Sequence, residues 1–163
     1  DQVYAAGMGP PLHAATVIAL GAAVGLDRTH NAIFYDYHST MALGLVDNYG
    51  QPRALYRGYE MMAKVIVPGA ERLTPGGLSD GMLDSGMGAV LVSRDGVGTV
   101  RILLVNRNSS ERSATVELDG SAATPGTIYA FDGTDDPIDP LRSVTPTGPS
   151  VVMPANSLMV LVF

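Results

Sequence analysis

The chain has 163 residues, of which 46% are apolar and 16% charged, so it carries the composition of a protein that buries a core and not that of a disordered segment. At this length it forms one domain or two small ones, since domains commonly hold about 100–150 residues. Sixteen acidic against ten basic residues leave a formal net charge of −6, the wrong sign for a phosphate-backbone partner, and no basic patch is visible, so no nucleic-acid partner is expected.

Taken in chain order, residues 11–24 place Leu12, Ala15, Ile18, Ala19, Ala22 and Ala23 near the i, i+3, i+4, i+7 spacing of one helical face. Pro10 and Pro11 suit a helix opening, and Gly25 suits its left-handed stop. The apolar run from Leu12 to Leu26 falls short of the roughly 20 residues a bilayer span requires, so it predicts a buried helix and no membrane partner. Residues 31–37 contain Ala32-Ile33-Phe34-Tyr35-Asp36-Tyr37, a run of the kind found in a buried strand. After a loop, Gln51-Pro52 predicts the start of a second helix, with Leu55, Tyr59, Met62 and Ile66 at helical spacing until Pro68-Gly69 ends it.

Beyond Gly69 the texture changes to short β-like runs at residues 88–93, 99–106, 113–118, 127–131, 150–153 and 157–163. The turns between them carry the Asn, Asp and Gly residues of tight reversals, as in Asp95-Gly96, Asp119-Gly120 and Asp132-Gly133. The segment Val100-Arg101-Ile102-Leu103-Leu104-Val105 is almost continuously apolar, which predicts a strand covered on both faces. An antiparallel β-sandwich of about six strands accounts for residues 70–163. The strand expected at residues 31–37 has no parallel neighbour in its own stretch. Its backbone groups require either the later strands or strands from a preceding segment or another polypeptide.

Several phrases carry a family resemblance. Phe34-Tyr35-Asp36-Tyr37-His38-Ser39, then Gly44-Leu45-Val46-Asp47 and Gly50-Gln51-Pro52-Arg53 leading into an aromatic-rich helix, resemble the last strand and last helix of clan-A-like (β/α)8-barrel glycoside hydrolases. The likeness is to the β-xylosidase, arabinofuranosidase and heparanase-like glucuronidase type. Ile102 to Ser110 and Met153-Pro154-Ala155-Asn156-Ser157-Leu158 resemble the β-sandwich appended to those barrels. The resemblance implies a mixed fold: residues 1–69 as a helix-strand-helix closing part of a barrel, and residues 70–163 as the antiparallel β-sandwich. It also implies a carbohydrate substrate and a barrel segment upstream of Asp1 as partner. The opening at Asp1, without Met or a leader-like segment, reads as a cut, and the compartment stays open, with secretion compatible.

In that family the catalytic pair are glutamates at the ends of the fourth and seventh barrel strands. The chain has four glutamates, Glu60, Glu71, Glu111 and Glu117, none at the end of a barrel-like strand, so no catalytic residue is expected here and the isolated chain is expected to be inactive. Tyr35, Asp36, Tyr37 and His38 run off the end of the expected strand and are the candidate substrate-binding residues, because aromatic faces beside a carboxylate suit the C–H faces and hydroxyls of a pyranose. Singly, each is better explained as core packing at a strand end, since a single aromatic is more often packing than recognition. Asp47, Asn48 and Tyr49 could reach the same cleft, with tying the turn and capping the next helix as their plainer role.

Cofactor chemistry finds no support. Cysteine is absent, and His13, His30 and His38 lack zinc-site spacing. Asp132, Asp135, Asp136 and Asp139 depart from the EF-hand order and read as a solvated loop, and no P-loop phrase occurs. No metal and no cofactor are therefore expected. The rival reading is a non-catalytic carbohydrate-binding or structural β-sandwich module.

Overall fold

The computed structural model describes residues 7–25, 44–76, 88–134, 137 and 139–163. Helix α1 (Gly9–Ala23) takes Pro10 and Pro11 into its first turn, where a missing N–H goes unmissed, and stops before Gly25 at φ +83°. It holds no charged residue and buries Pro11, Leu12, Ala15, Thr16 and Ala19. The Thr16 hydroxyl is satisfied by donating 2.7 Å to the Leu12 carbonyl one turn back. No described helix is long and apolar enough to cross a membrane.

Helix α2 (Ala54–Val65) buries Ala54, Arg57, Gly58, Met61, Met62 and Val65. The stripe expected from the sequence was Leu55, Tyr59, Met62 and Ile66, of which Met62 alone is buried; Ile66 lies past the helix end at 53% exposure. The rotation has a steric cause. A Cβ on Gly58 would stand 2.6 Å from the Cβ of Pro11, so the small residues of α2 face α1 and let the two backbones approach closely. Pro52 lies ahead of the helix, bridged to Val46.

Ten strands follow among the described residues: β1 (Glu71–Leu73), β2 (Gly88–Arg94), β3 (Val100–Asn106), β4 (Arg112–Thr115), β5 (Glu117–Leu118), β6 (Ser121–Ala122), β7 (Thr127–Phe131), β8 (Arg142–Val144), β9 (Ser150–Met153) and β10 (Ser157–Val162). Six form an antiparallel sheet in the order β1-β2-β3-β10-β7-β8, while β4 pairs with β9 and β5 with β6. The register of the large sheet aligns Val105, Leu158 and Phe131 across three strands, and Leu104, Met159 and Ala130 one step along.

Because side chains alternate across a strand, these two rows point to opposite faces. Ala89, Leu91, Leu103, Val105, Phe131, Leu158 and Val160 pack against α1 and α2. Val92, Ile102, Leu104, Ile128, Ala130, Met159 and Leu161 pack against Val151 and Met153 of β9 and against Val116 between β4 and β5. The large sheet is thus a middle layer, and the unbroken apolar runs of β3 and β10 reflect cover on both sides, as expected for β3. The link to the helices is also polar: Ser93 Oγ on β2 donates 2.6 Å to the Val65 carbonyl at the end of α2, satisfying a group the helix cannot.

Two expectations need adjustment. The single strand expected over residues 113–118 is divided at Val116, whose N–H donates to Pro149 O (3.2 Å) and whose carbonyl accepts from Ala123 N (2.9 Å), so it hands the chain from one small sheet to the other. Strands β1, β6 and β8 were not anticipated, since they are short and mostly exposed and have no apolar run to announce them. The strand expected at residues 31–37 lies outside the described residues.

Candidate functional site

Tyr35, Asp36, Tyr37 and His38 lie outside the described residues, and the structure does not place them. The loop that follows is described from Gly44 and leads directly into the N-terminus of α2. Asp47 organises it: Oδ1 accepts from the N–H groups of Tyr49 (2.8 Å) and Gln51 (2.9 Å). The Asp47 N–H donates to Gln51 O (2.9 Å), Gly50 N to Asp47 O (3.0 Å) and Arg53 N to Leu45 O (2.9 Å). Asp47 therefore ties the turn, as expected, but does not cap the helix, whose N-cap Arg53 makes no side-chain capping bond. At the apex Tyr49 stands 79% exposed.

The four glutamates occupy separate places. Glu60 accepts 2.5 Å from Arg57 Nη1, one turn earlier on α2. The buried Arg57 also donates Nε to Pro137 O at 2.7 Å and lies 5.5 Å from the Tyr56 ring centroid, so Glu60 steadies a strap between α2 and the β7–β8 connection. Glu71 on the edge strand β1 accepts from Arg94 Nε (2.8 Å) and Nη2 (2.5 Å), directly opposite on β2. Glu111 before β4 and Glu117 in β5 are exposed. Sequence reasoning did not foresee the arginine partners of Glu60 and Glu71.

The acidic loop around Asp132 holds itself together. Its Oδ1 accepts from Thr134 Oγ1 (2.6 Å) and N (3.0 Å), and its Oδ2 lies 3.6 Å from Arg142 Nη2. Burial pushes the Asp132 carboxyl up, yet the Thr134 hydrogen bonds and the Arg142 charge outweigh it and hold it below the usual carboxylate range. Asp135 and Asp136 lie outside the described residues; among those described, no three His, Cys, Asp or Glu side chains gather as a metal site would require.

A polar centre missed by sequence reasoning sits at one end of the large sheet. Asn106, 2% exposed at the end of β3, donates Nδ2 to Pro154 O (2.7 Å), Ser110 O (3.1 Å) and Met153 O (3.4 Å). Its Oδ1 accepts from Asn108 N (3.0 Å) and Nδ2 (3.1 Å). Ser157 Oγ donates to Pro154 O at 2.7 Å, and Asn156 N to Asn108 O at 3.0 Å. The two sandwich phrases that carried the resemblance, around Asn106 and around Pro154, are in contact here. They are the two halves of one turn lock, and the lock serves the fold.

No protein-family model matches the chain, and no curated protein matches it. Solved structures do. The glycoside hydrolase family 30 subfamily 8 xylanase of Clostridium acetobutylicum aligns over 96% of this chain at TM-score 0.68 and 16% identity. A family 30 endoxylanase of Clostridium papyrosolvens C71 aligns over 96% at TM-score 0.62 and 17% identity. The fold is one that glycoside hydrolases carry. A conserved exported protein of Bacteroides fragilis shares it over 96% of this chain at TM-score 0.68 and 14% identity. The chain spans 39%, 38% and 34% of the lengths of these proteins respectively, so its helices and sandwich correspond to a part of each. Two described helices beside antiparallel sheets are consistent with the mixed fold anticipated from the sequence, a partial barrel plus a β-sandwich.

Proposed function

We propose that the chain is the C-terminal portion of a secreted, carbohydrate-active glycoside hydrolase. Residues 1–69 contribute the closing part of a (β/α)8 barrel and residues 70–163 the β-sandwich that packs on it. The observation that carries this reading is the pairing of two coverages: the fold matches over 96% of this chain but over 39% of the Clostridium acetobutylicum xylanase. Hydrolysis of a glycoside needs two carboxyl groups about 5–9.5 Å apart, with the spacing setting retention or inversion. Glu60 and Glu71 are held by arginines on different elements, and Glu111 and Glu117 lie on the sandwich side, so the catalytic pair is assigned to a preceding barrel segment. Tyr35, Asp36, Tyr37 and His38 then line the sugar cleft from the last barrel strand, and the partners are that barrel segment and a carbohydrate.

The test is an activity comparison. The 163-residue chain should show no turnover of aryl xylosides, aryl glucosides or xylan, whereas the complete polypeptide should hydrolyse at least one of them. In the latter, Tyr37→Ala and His38→Ala should raise KM or lower kcat without lowering Tm. Turnover by the isolated chain that disappears on substituting one of its own carboxylates would sink the assignment.

A further inference from the structure

Tyr49 is unlike the other described aromatic residues. Tyr56, Tyr59, Tyr129 and Phe163 are half-buried and Phe131 is fully buried, while Tyr49 keeps 79% of its surface in water. A ring so exposed forgoes most of the burial that normally places a tyrosine, about 25 cal/mol per Å² of apolar surface, and sets a flat apolar face out in solvent. Its perch is firm. The Asp47 carboxylate bonds the N–H groups of both Tyr49 and Gln51, and Val46 and Pro52 bridge the base of the loop, so the backbone under the ring is organised before any ligand arrives. The loop also has a direction. It feeds the N-terminus of α2, and in a barrel the loops that enter helix N-termini form the face on which binding sites are built.

We infer that Tyr49 is an aromatic platform on which one pyranose ring of a polysaccharide chain stacks, outside the residues assigned above to the cleft. This rests on the glycoside-hydrolase reading and adds a position to it. The ring suits a sugar whose substituents are equatorial, because such a pyranose presents a face of C–H groups to a π surface and turns its hydroxyls to water. Stacking needs the ring and not the phenol oxygen, so phenylalanine should serve and alanine should not.

The experiment uses the complete polypeptide with xylohexaose and cellohexaose as probes, measuring binding by calorimetry and turnover by reducing-end release. Tyr49→Ala should weaken binding of the preferred hexaose about five- to tenfold, as expected for the loss of one aromatic contact of roughly 1–1.4 kcal/mol. KM should rise with kcat unchanged and Tm unaltered, and Tyr49→Phe should behave as the original protein. Equal binding by Tyr49→Ala, or an equal loss in Tyr49→Phe, overturns the platform while leaving the hydrolase reading in place. A fall in Tm without a change in binding also overturns it, because the ring is then packed against another part of the polypeptide. If the unsubstituted polypeptide neither binds nor cleaves either hexaose or any aryl glycoside, both readings fall together.

Discussion

Asn106 shows how much one buried side chain can organise. Its amide has four described partners on two turns, and at 2% exposure water cannot replace them. Asn106→Leu keeps the volume but strands the Ser110 carbonyl and the Asn108 N–H and leaves the Pro154 carbonyl with Ser157 Oγ as its donor, so it should cost about 2–4 kcal/mol in urea unfolding, with the m-value unchanged. Asp95 makes a different case. Its Oδ2 lies 2.8 Å from Arg101 Nη1, and its Oδ1 accepts from Thr99 N (3.0 Å) and Val97 N (3.1 Å), clasping the β2–β3 turn. The Arg101 hydrogen bond, helped by the backbone donors and opposed by partial desolvation, holds the carboxyl below its usual range. A depressed carboxylate pKa contributes stability that is complete above the unfolded value of about 3.9 and is lost as pH falls through the folded value. The Tm advantage of the original protein over Asp95→Asn should therefore be steady at neutral pH and shrink below about pH 4. A gap that persists to the acid limit would show that the contribution is not one of charge.

At the scale of elements, the legible and the illegible divide cleanly within one helix. The existence of α2 followed from apolar spacing, but two stripes one residue apart both have that spacing, and the chain buries the one built on Ala54, Gly58 and Met61 instead of Leu55, Tyr59 and Ile66. The choice is made by Pro11 on α1, which leaves no room for a side chain at position 58. Gly→Ala in an exposed helix normally stabilises by about 1 kcal/mol through propensity. Here Gly58→Ala forces the helix backbones apart and should instead destabilise by about 1–3 kcal/mol, read as a lower midpoint in chemical unfolding. A neutral or stabilising outcome would mean that the helices are further apart than the structure shows. Strands tell a similar story: long runs such as β3 and β10 were visible as apolar stretches, whereas β1 and β8 carry exposed polar residues and exist because a neighbour offers unpaired backbone groups.

For the whole molecule, the sequence by itself determined the acidic charge, the absence of thiol chemistry, the change from helical to strand texture near Gly69, and the strands that are apolar on both faces. These are properties of neighbouring residues, and side-chain period and turn chemistry report them directly. Of the candidate site, the turn-forming role of Asp47 was legible for the same reason, since an Asx turn is closed by residues two and four positions away. Tertiary structure alone decided that the final strand β10 lies between β3 and β7, that the helices and the small sheets share a single middle layer, and that the Asn106 and Pro154 phrases meet. Each of those depends on which distant backbone groups satisfy one another and which apolar faces fit together, and a period read along the chain contains the face but not its partner.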